Sequence, residues 1–131
     1  MSDNVVDIYT NRTIDIAHRL ENYNGKCQYL HGHSIKFEIW IRGYVDDRTG
    51  MVVDFVEIKN IIDKLDHHYL NEILDFEPTA ENLAIYIANR INDTNPNLLE
   101  IKVRCWETSN SFAEYKIKNE KQKNEDIFVF V

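Results

Sequence analysis

The sequence has no surplus of positive charge, few cysteines and no long apolar run. Lysine and arginine number 15 against 22 acidic residues, so the net charge is −7 and no excess of cations exists to neutralise the phosphates of a nucleic acid. Two cysteines, Cys27 and Cys105, without any Cys-x-x-Cys pair exclude a zinc ribbon built on thiolates. No stretch approaches the ~18 apolar residues of a membrane span, so we expect no membrane partner.

The N-terminal stretch and the cysteine content together predict the compartment. Residues 1–9 include two aspartates and lack an apolar segment, so we do not expect a signal peptide. Two cysteines could pair in one disulfide, but no other feature indicates secretion. We therefore predict a cytoplasmic protein with reduced cysteines.

Length and composition favour a single globular domain over residues 1–131. A chain of 131 residues with 44% hydrophobic and 28% charged residues can bury a hydrophobic core. We expect this core to span about 5–117. It is followed by a charged connector, 118–126, and by a short apolar segment, 127–131, which could be an edge strand or a subunit contact.

Hydrophobic periodicity predicts an α+β fold. Alternation of apolar and polar residues predicts two strands before residue 45 and two after residue 98. Between them, Asp54 and Thr79 are typical N-caps, each followed by apolar residues at helical spacing, which predicts two helices. The order strand, strand, helix, helix, strand, strand belongs to the α+β class. The predicted segments are about 5–18, 31–42, 54–65, 79–92, 99–106 and 112–117.

Three histidines fall near the ends of the first two strands. His31 and His33 project to the same face of an extended backbone, and that face also carries Ile35 and packs inward. His18 shares the core face of the first strand. Three neutral imidazoles can bind zinc and leave a fourth position open, which is typical of a catalytic site. The alternative is three unrelated histidines with ordinary hydrogen-bond partners.

Four further residues could carry chemistry. Cys27 could be a base or nucleophile if a nearby cation lowers its pKa, or it could be an incidental thiol. Asp66 and His67 are adjacent at the end of a helix, where a loop could turn the carboxylate onto the ring, or they could be an ordinary helix terminus. Glu107, at a strand end, could accept two hydrogen bonds from an amidine-like edge, or it could be simply exposed. Cys105 has the parity of a core position and receives no role.

Six motifs follow one another along the chain: Ala17-His18-Arg19-Leu20, Cys27-x-x-x-His31-Gly32-His33, Gly50-Met51-Val52-Val53-Asp54-Phe55, Leu65-Asp66-His67 with Leu70-Asn71, Pro78-Thr79-Ala80-Glu81-Asn82, and Glu107-Thr108 with Tyr115. Taken together in this order, they resemble the 6-pyruvoyl-tetrahydropterin synthase superfamily, and within it the 6-carboxy-tetrahydropterin synthases of queuosine biosynthesis. The resemblance covers about 5–117. Members that form the pyruvoyl product tend to have a longer gap before the His-Gly-His triplet, so the three residues after Cys27 favour the carboxy-forming branch. Ile14 and Ile16 depart from the pattern, where an aromatic and a small residue are usual.

The resemblance implies a fold and an assembly. Members of this superfamily have the tunnelling fold (T-fold), a four-stranded antiparallel sheet with two helices between strands 2 and 3. The sheets of three subunits join into a trimer barrel, and two trimers stack into a homohexamer. Active sites lie between subunits, so the zinc ligands and the other site residues need not come from one chain.

The resemblance also implies a reaction and a role for each site residue. The substrate would be 7,8-dihydroneopterin triphosphate, and the products would be 6-carboxy-5,6,7,8-tetrahydropterin, acetaldehyde and triphosphate. The resemblance assigns no residue to the triphosphate; Arg19 and Lys26, two cations close in the chain, are candidates for it. The implied roles are zinc ligands for His18, His31 and His33, a proton-abstracting base for Cys27, a relay for Asp66 and His67, and an anchor for the pterin ring for Glu107.

Three other functions stay open from the sequence. The chain could make the pyruvoyl product from the same substrate. It could be an oligomeric binding protein that holds zinc and a pterin without turnover, although Cys27, Asp66 and His67 together count against this. It could also carry structural histidines and no zinc.

Overall fold

The computed structural model describes residues 3–25 and 29–119, and within them four strands form one antiparallel sheet in the order β1-β2-β3-β4. Cys27, Lys26 and the predicted apolar segment 127–131 lie outside the described residues. The strand prediction is confirmed, with somewhat longer strands than expected. Their bounds are β1 Val5–His18, β2 His31–Tyr44, β3 Glu100–Thr108 and β4 Ser111–Lys118.

Three helical segments connect β2 to β3: α1 Phe55–Asp63, α2 Leu70–Ile73 and α3 Ala80–Thr94. Both predicted caps are present, since Asp54 accepts a hydrogen bond from the Val56 amide and Thr79 accepts one from the Asn82 amide. The prediction of two helices between the second and third strands is confirmed. The short helix α2 was not predicted. A single turn of four residues is too short to show a helical period.

The core lies between one face of the sheet and the helices. Alternate residues of β2 and β3 meet the apolar faces of α1 and α3, as the periodicity predicts. Cys105 lies in this core with no exposed surface, and burial raises the pKa of its thiol far above the ordinary value. It is therefore a packing residue, as predicted. The largest fully buried side chains include Ile35, Phe37, Ile39, Ile41, Ile58, Ile62, Leu83, Ile87 and Ile91.

The opposite face of the sheet is polar and aromatic. Glu38 accepts hydrogen bonds from the Tyr9 hydroxyl and the Trp106 indole. The Arg104 guanidinium lies 4.1 Å from the centre of the Phe112 ring. No described helix has both the length and the apolar character to cross a membrane. The helices cover the core face of the sheet. The predicted histidines lie at the edge of this layer, where the last residue of β1 pairs with the first residue of β2.

Candidate metal centre and neighbouring cavity

Antiparallel pairing brings the three predicted histidines together at one end of the sheet. His18, the last residue of β1, lies opposite His31, the first residue of β2, and Ile16 lies opposite His33. The ring of His18 is 4.5 Å from that of His31 and 4.9 Å from that of His33, measured between centroids. His18 is 1% exposed. The imidazoles converge because the residues share a sheet face and a strand end.

Each imidazole turns its Nδ1 atom towards a backbone carbonyl oxygen. A carbonyl oxygen can only accept, so the tautomer that satisfies each contact carries its hydrogen on Nδ1 and leaves a lone pair on Nε2. Such carbonyl contacts behind the ring are typical of histidines that bind a metal through Nε2. The pairs are Nδ1 of His18 with the Pro78 oxygen (2.9 Å), of His31 with the Tyr29 oxygen (2.9 Å), and of His33 with the Ser34 oxygen (3.2 Å).

Two of these Nε2 atoms face one another at close range. The Nε2 atoms of His18 and His33 are 2.9 Å apart. Burial lowers the pKa of His18, which favours its neutral form. Two unprotonated nitrogens cannot hydrogen-bond to each other, whereas a cation between them would satisfy both lone pairs. The residues present therefore fit a divalent metal on the chemistry of their donor atoms.

Glu107 joins the histidines from the end of β3. Its Oε1 atom is 3.4 Å from Nε2 of His33 and 3.7 Å from Nε2 of His18. Pairing shifts register between Trp106 and Thr108, which places Glu107 at a β-bulge. One ligand atom from each of the four side chains lies within 4.8 Å of the others, and this four-residue group is called the metal group below.

A cavity of about 350 Å³ adjoins the metal group. His18 and Glu107 lie on one side of it, and Phe112 and Leu20 contribute apolar surface. Glu81, in the first turn of α3, supplies a second carboxylate to the lining. Glu81 belongs to one of the family motifs, but no role for it was predicted from the sequence. It stands two residues after the Thr79 cap, and only the placement of α3 beside the cavity gives it a possible role.

Asp66 and His67 lie outside the metal group, in a tight turn that is hydrogen-bonded to Asp15 of β1. Nδ1 of His67 lies 3.0 Å from Oδ1 of Asp66. The Asp15 amide donates to the same carboxylate at 2.9 Å, and the His67 amide donates to the Asp15 oxygen at 2.7 Å. The Asp15 amide, helped by His67, lowers the pKa of Asp66. His67 has a positive φ of 58°, and its side chain is 77% exposed.

The structure thus brings some predicted site residues together and leaves others apart. The three histidines and Glu107 are adjacent, but Asp66 and His67 are not part of the metal group. His67 lines a different cleft, together with His33, His68 and Tyr69. Arg19, one of the two candidates for the triphosphate, lies beside Glu21, with 3.8 Å between their charged atoms.

Comparison with known proteins identifies the family. A sequence profile described as 6-pyruvoyl tetrahydropterin synthase matches residues 7–118. The chain belongs to this family. It is 35% identical to the 6-carboxy-5,6,7,8-tetrahydropterin synthase of Synechocystis sp. over 82% of this chain and 91% of that protein. It is 36% identical to the 6-pyruvoyl tetrahydrobiopterin synthase of Drosophila melanogaster over 88% and 83%.

Solved structures agree on the fold of the family. The 6-pyruvoyl tetrahydropterin synthase of Caenorhabditis elegans superposes with a TM-score of 0.67 and 25% identity, over 91% of this chain and 99% of that one. The predicted α+β architecture is therefore confirmed. The two relatives above carry different activities at nearly equal identity, so overall identity does not separate the two products.

Proposed function

We propose that this chain is a zinc-dependent lyase that converts 7,8-dihydroneopterin triphosphate and water to 6-carboxy-5,6,7,8-tetrahydropterin, acetaldehyde and triphosphate. The observation that carries the proposal is the metal group beside a cavity: three Nε2 lone pairs converge where a ligand could enter. Several relatives carry the 6-carboxy name, and the short gap between Cys27 and His31 favours the same branch. The reaction would take place in the cytoplasm and supply queuosine biosynthesis.

In this proposal His18, His31 and His33 hold the metal. Zinc, when bound, supplies Lewis-acid chemistry that acidifies substrate hydroxyl groups. The carbonyl oxygens on each Nδ1 fix the rings so that Nε2 faces the site. Cys27 removes a proton from the substrate side chain, and Glu107 binds the amino-pyrimidinone edge of the pterin through two hydrogen bonds.

Asp66 and His67 act as the proton relay on the other side of the substrate. Asp66 is held by the Asp15 amide and in turn orients the His67 ring, which is how a carboxylate sets the tautomer of a catalytic histidine. Because the His67 ring is largely exposed in the single chain, we infer that it serves a site completed by another subunit.

The assembly would be a homohexamer of single tunnelling-fold domains, in which the sheets of three subunits join into each trimer barrel. The sheet order leaves β1 and β4 as edges of the described sheet, and edge strands can pair with those of a neighbour. β1 is 14 residues long, and its exposed residues include Val5, Val6 and Tyr9. Both features suit strand pairing between subunits.

The second candidate is formation of the 6-pyruvoyl product from the same substrate. It is favoured by the Drosophila relative, whose identity to this chain is as high as that of the 6-carboxy relatives. The third candidate is a protein that binds zinc and a pterin without turnover. The hydrogen-bonded Asp66–His67 pair counts against it, because a binding protein does not need a proton relay.

The test is to load the purified full chain with zinc, add 7,8-dihydroneopterin triphosphate and identify the products by mass. Acetaldehyde with 6-carboxy-tetrahydropterin is expected. A pyruvoyl product would instead support the second candidate, 6-pyruvoyl-tetrahydropterin synthase activity. Absence of turnover with one zinc per chain would support the binder. The Cys27→Ala variant should lose turnover and keep its zinc, which separates loss of the base from loss of the site.

A further inference from the structure

We propose that Glu107 is the fourth protein ligand of the metal when no substrate is bound, and that a substrate oxygen takes its place on binding. The first half depends on the metal group alone. The second half rests on the proposed function, because it needs the substrate. Glu107 would then have two states, one on the metal and one free to hold the pterin edge.

The spacing of the donor atoms supports ligation by four side chains. A tetrahedral zinc with bonds of about 2.0–2.1 Å keeps its ligand atoms about 3.3 Å apart. The Nε2 atoms of His18 and His33 are 2.9 Å apart, and Oε1 of Glu107 lies 3.7 Å from the first and 3.4 Å from the second. With the His31 donor included, the four atoms all lie within 4.8 Å of one another. The carboxylate oxygen thus lies at the separation expected for a fourth vertex.

The contacts of Glu107 are otherwise unfavourable. With Nδ1 of each ring directed to a carbonyl, the Nε2 lone pairs of His18 and His33 face a carboxylate oxygen. A cation at the centre converts three mutually repelling donors into a ligand set, and the carboxylate reduces the net charge of the site.

The local backbone directs Glu107 to this position. The register shift next to Trp106 gives β3 an extra residue where the β3–β4 hairpin closes, and bulges of this kind re-aim side chains near functional sites. The Glu107 side chain is 30% exposed and lines the cavity, so it has room to leave the metal. Glu81 lines the same cavity but is not in the metal group, which makes it the matched control.

The experiment measures cobalt binding by the full chain after removal of its metal. Wild type, Glu107→Gln, Glu107→Ala and Glu81→Gln are titrated with Co²⁺, and visible absorption reports the coordination number while competition with a chelator reports the affinity. We expect both Glu107 variants to bind Co²⁺ at least about 10-fold more weakly, since changes to groups that merely support a ligand already cost 10–100-fold. Glu81→Gln should match wild type in affinity and spectrum.

Three outcomes would overturn the proposal. The first is a Glu107→Ala protein with the cobalt affinity and spectrum of wild type. The second is a thiolate charge-transfer band in wild type that Cys27→Ser removes, because the fourth ligand would then be the cysteine. The third is a wild-type spectrum that 7,8-dihydroneopterin triphosphate leaves unchanged at saturation, which would refute the exchange. Circular dichroism of each apoprotein confirms that the variants fold.

Failure of this inference is distinguishable from failure of the proposed function. If Glu107 binds cobalt but the zinc-loaded chain makes no product, the ligation stands and the lyase assignment falls. If the chain makes 6-carboxy-tetrahydropterin while both Glu107 variants bind cobalt as wild type does, the lyase stands and the ligation falls. Glu107→Gln keeps the size of the side chain, so a loss of affinity in that variant cannot be attributed to a cavity.

Discussion

The metal group and the Asp66–His67 pair differ in how far a single chain completes them. His18 is 1% exposed, and its ring, with those of His31 and His33, is fixed by backbone carbonyls. The His67 side chain is 77% exposed although Asp66 and a positive-φ turn define its position. The chain therefore builds the metal group within its own fold, whereas the Asp66–His67 pair is hydrogen-bonded to β1 but presents its ring outwards.

Removing a metal ligand should have the broadest effect, because it lowers both the zinc content and the turnover that depends on zinc. We expect His33→Ala to weaken zinc binding by more than about 100-fold, beyond the cost of losing a group that only supports a ligand, because a direct donor to the metal is lost. Metal content after dialysis and chelator competition measure this. His68→Ala removes an exposed histidine near the turn and should keep wild-type zinc. Equal zinc loss in both variants would contradict the assignment of the metal group.

Removing the relay should reduce turnover and leave the metal in place. His67→Ala is expected to lower kcat by roughly 10²–10⁴-fold, the usual contribution of a positioned acid or base. Zinc content should stay at the wild-type level, since His67 is outside the metal group. Steady-state kinetics with metal analysis of the same sample make the measurement. Wild-type kcat in His67→Ala would remove this residue from the mechanism.

The Asp66 carboxylate should make the turn sensitive to acid. The Asp15 amide, with help from His67, lowers its folded pKa, so its stabilisation is present above the unfolded value of about 3.9 and is lost as pH falls through the folded pKa. Asp66→Asn should have a lower thermal midpoint than wild type at pH 7. The two midpoints should converge in acid, where the wild-type carboxyl is protonated. Thermal melts across pH measure it, with Glu72→Gln on α2 as control. A difference that grows towards low pH would contradict this account.

The smallest effect is expected at the loop after β1. Glu77 accepts hydrogen bonds from the Glu21 amide at 2.7 Å and from the Asn22 amide at 3.0 Å, and these contacts lower its pKa. Glu77→Ala should speed hydrogen exchange at Glu21 and Asn22 several-fold and leave the metal group unchanged. Exchange measured by NMR checks both. Unchanged protection at these amides would show that the carboxylate does not hold the loop.

Much of the metal group was predictable because strand periodicity determines sheet face. The parity of His18 with Ile14 and Ile16, and of His31 and His33 with Ile35, is enough to place all three rings on the inward face. The approach of Glu107 was not predictable in the same way. It depends on a bulge that alters the end of β3, and on a distance across the sheet that no local pattern encodes.

The parts that periodicity missed are short or depend on tertiary contacts. α2 is a single turn with one buried residue, Leu70, so its helical period is not visible. The contact between the Asp66 carboxylate and the His67 ring depends on a tight turn. Two hydrogen bonds to the backbone of Asp15, which lies far away in the sequence on β1, hold that turn. Glu81 became noticeable only when the fold placed α3 beside the cavity.

The most direct test of the account is to combine two variants that are each inactive for a different reason. His33→Ala removes a proposed metal ligand and His67→Ala removes the proposed relay, so each variant alone should have strongly reduced turnover. Suppose that zinc is held within one chain and that His67 serves a site on another chain. Co-expression of the two variants should then restore part of the wild-type activity. Some sites would combine the intact metal group of a His67→Ala chain with the intact His67 of a His33→Ala chain. A mixture as inactive as its components would contradict both the shared site and the roles assigned to the two regions.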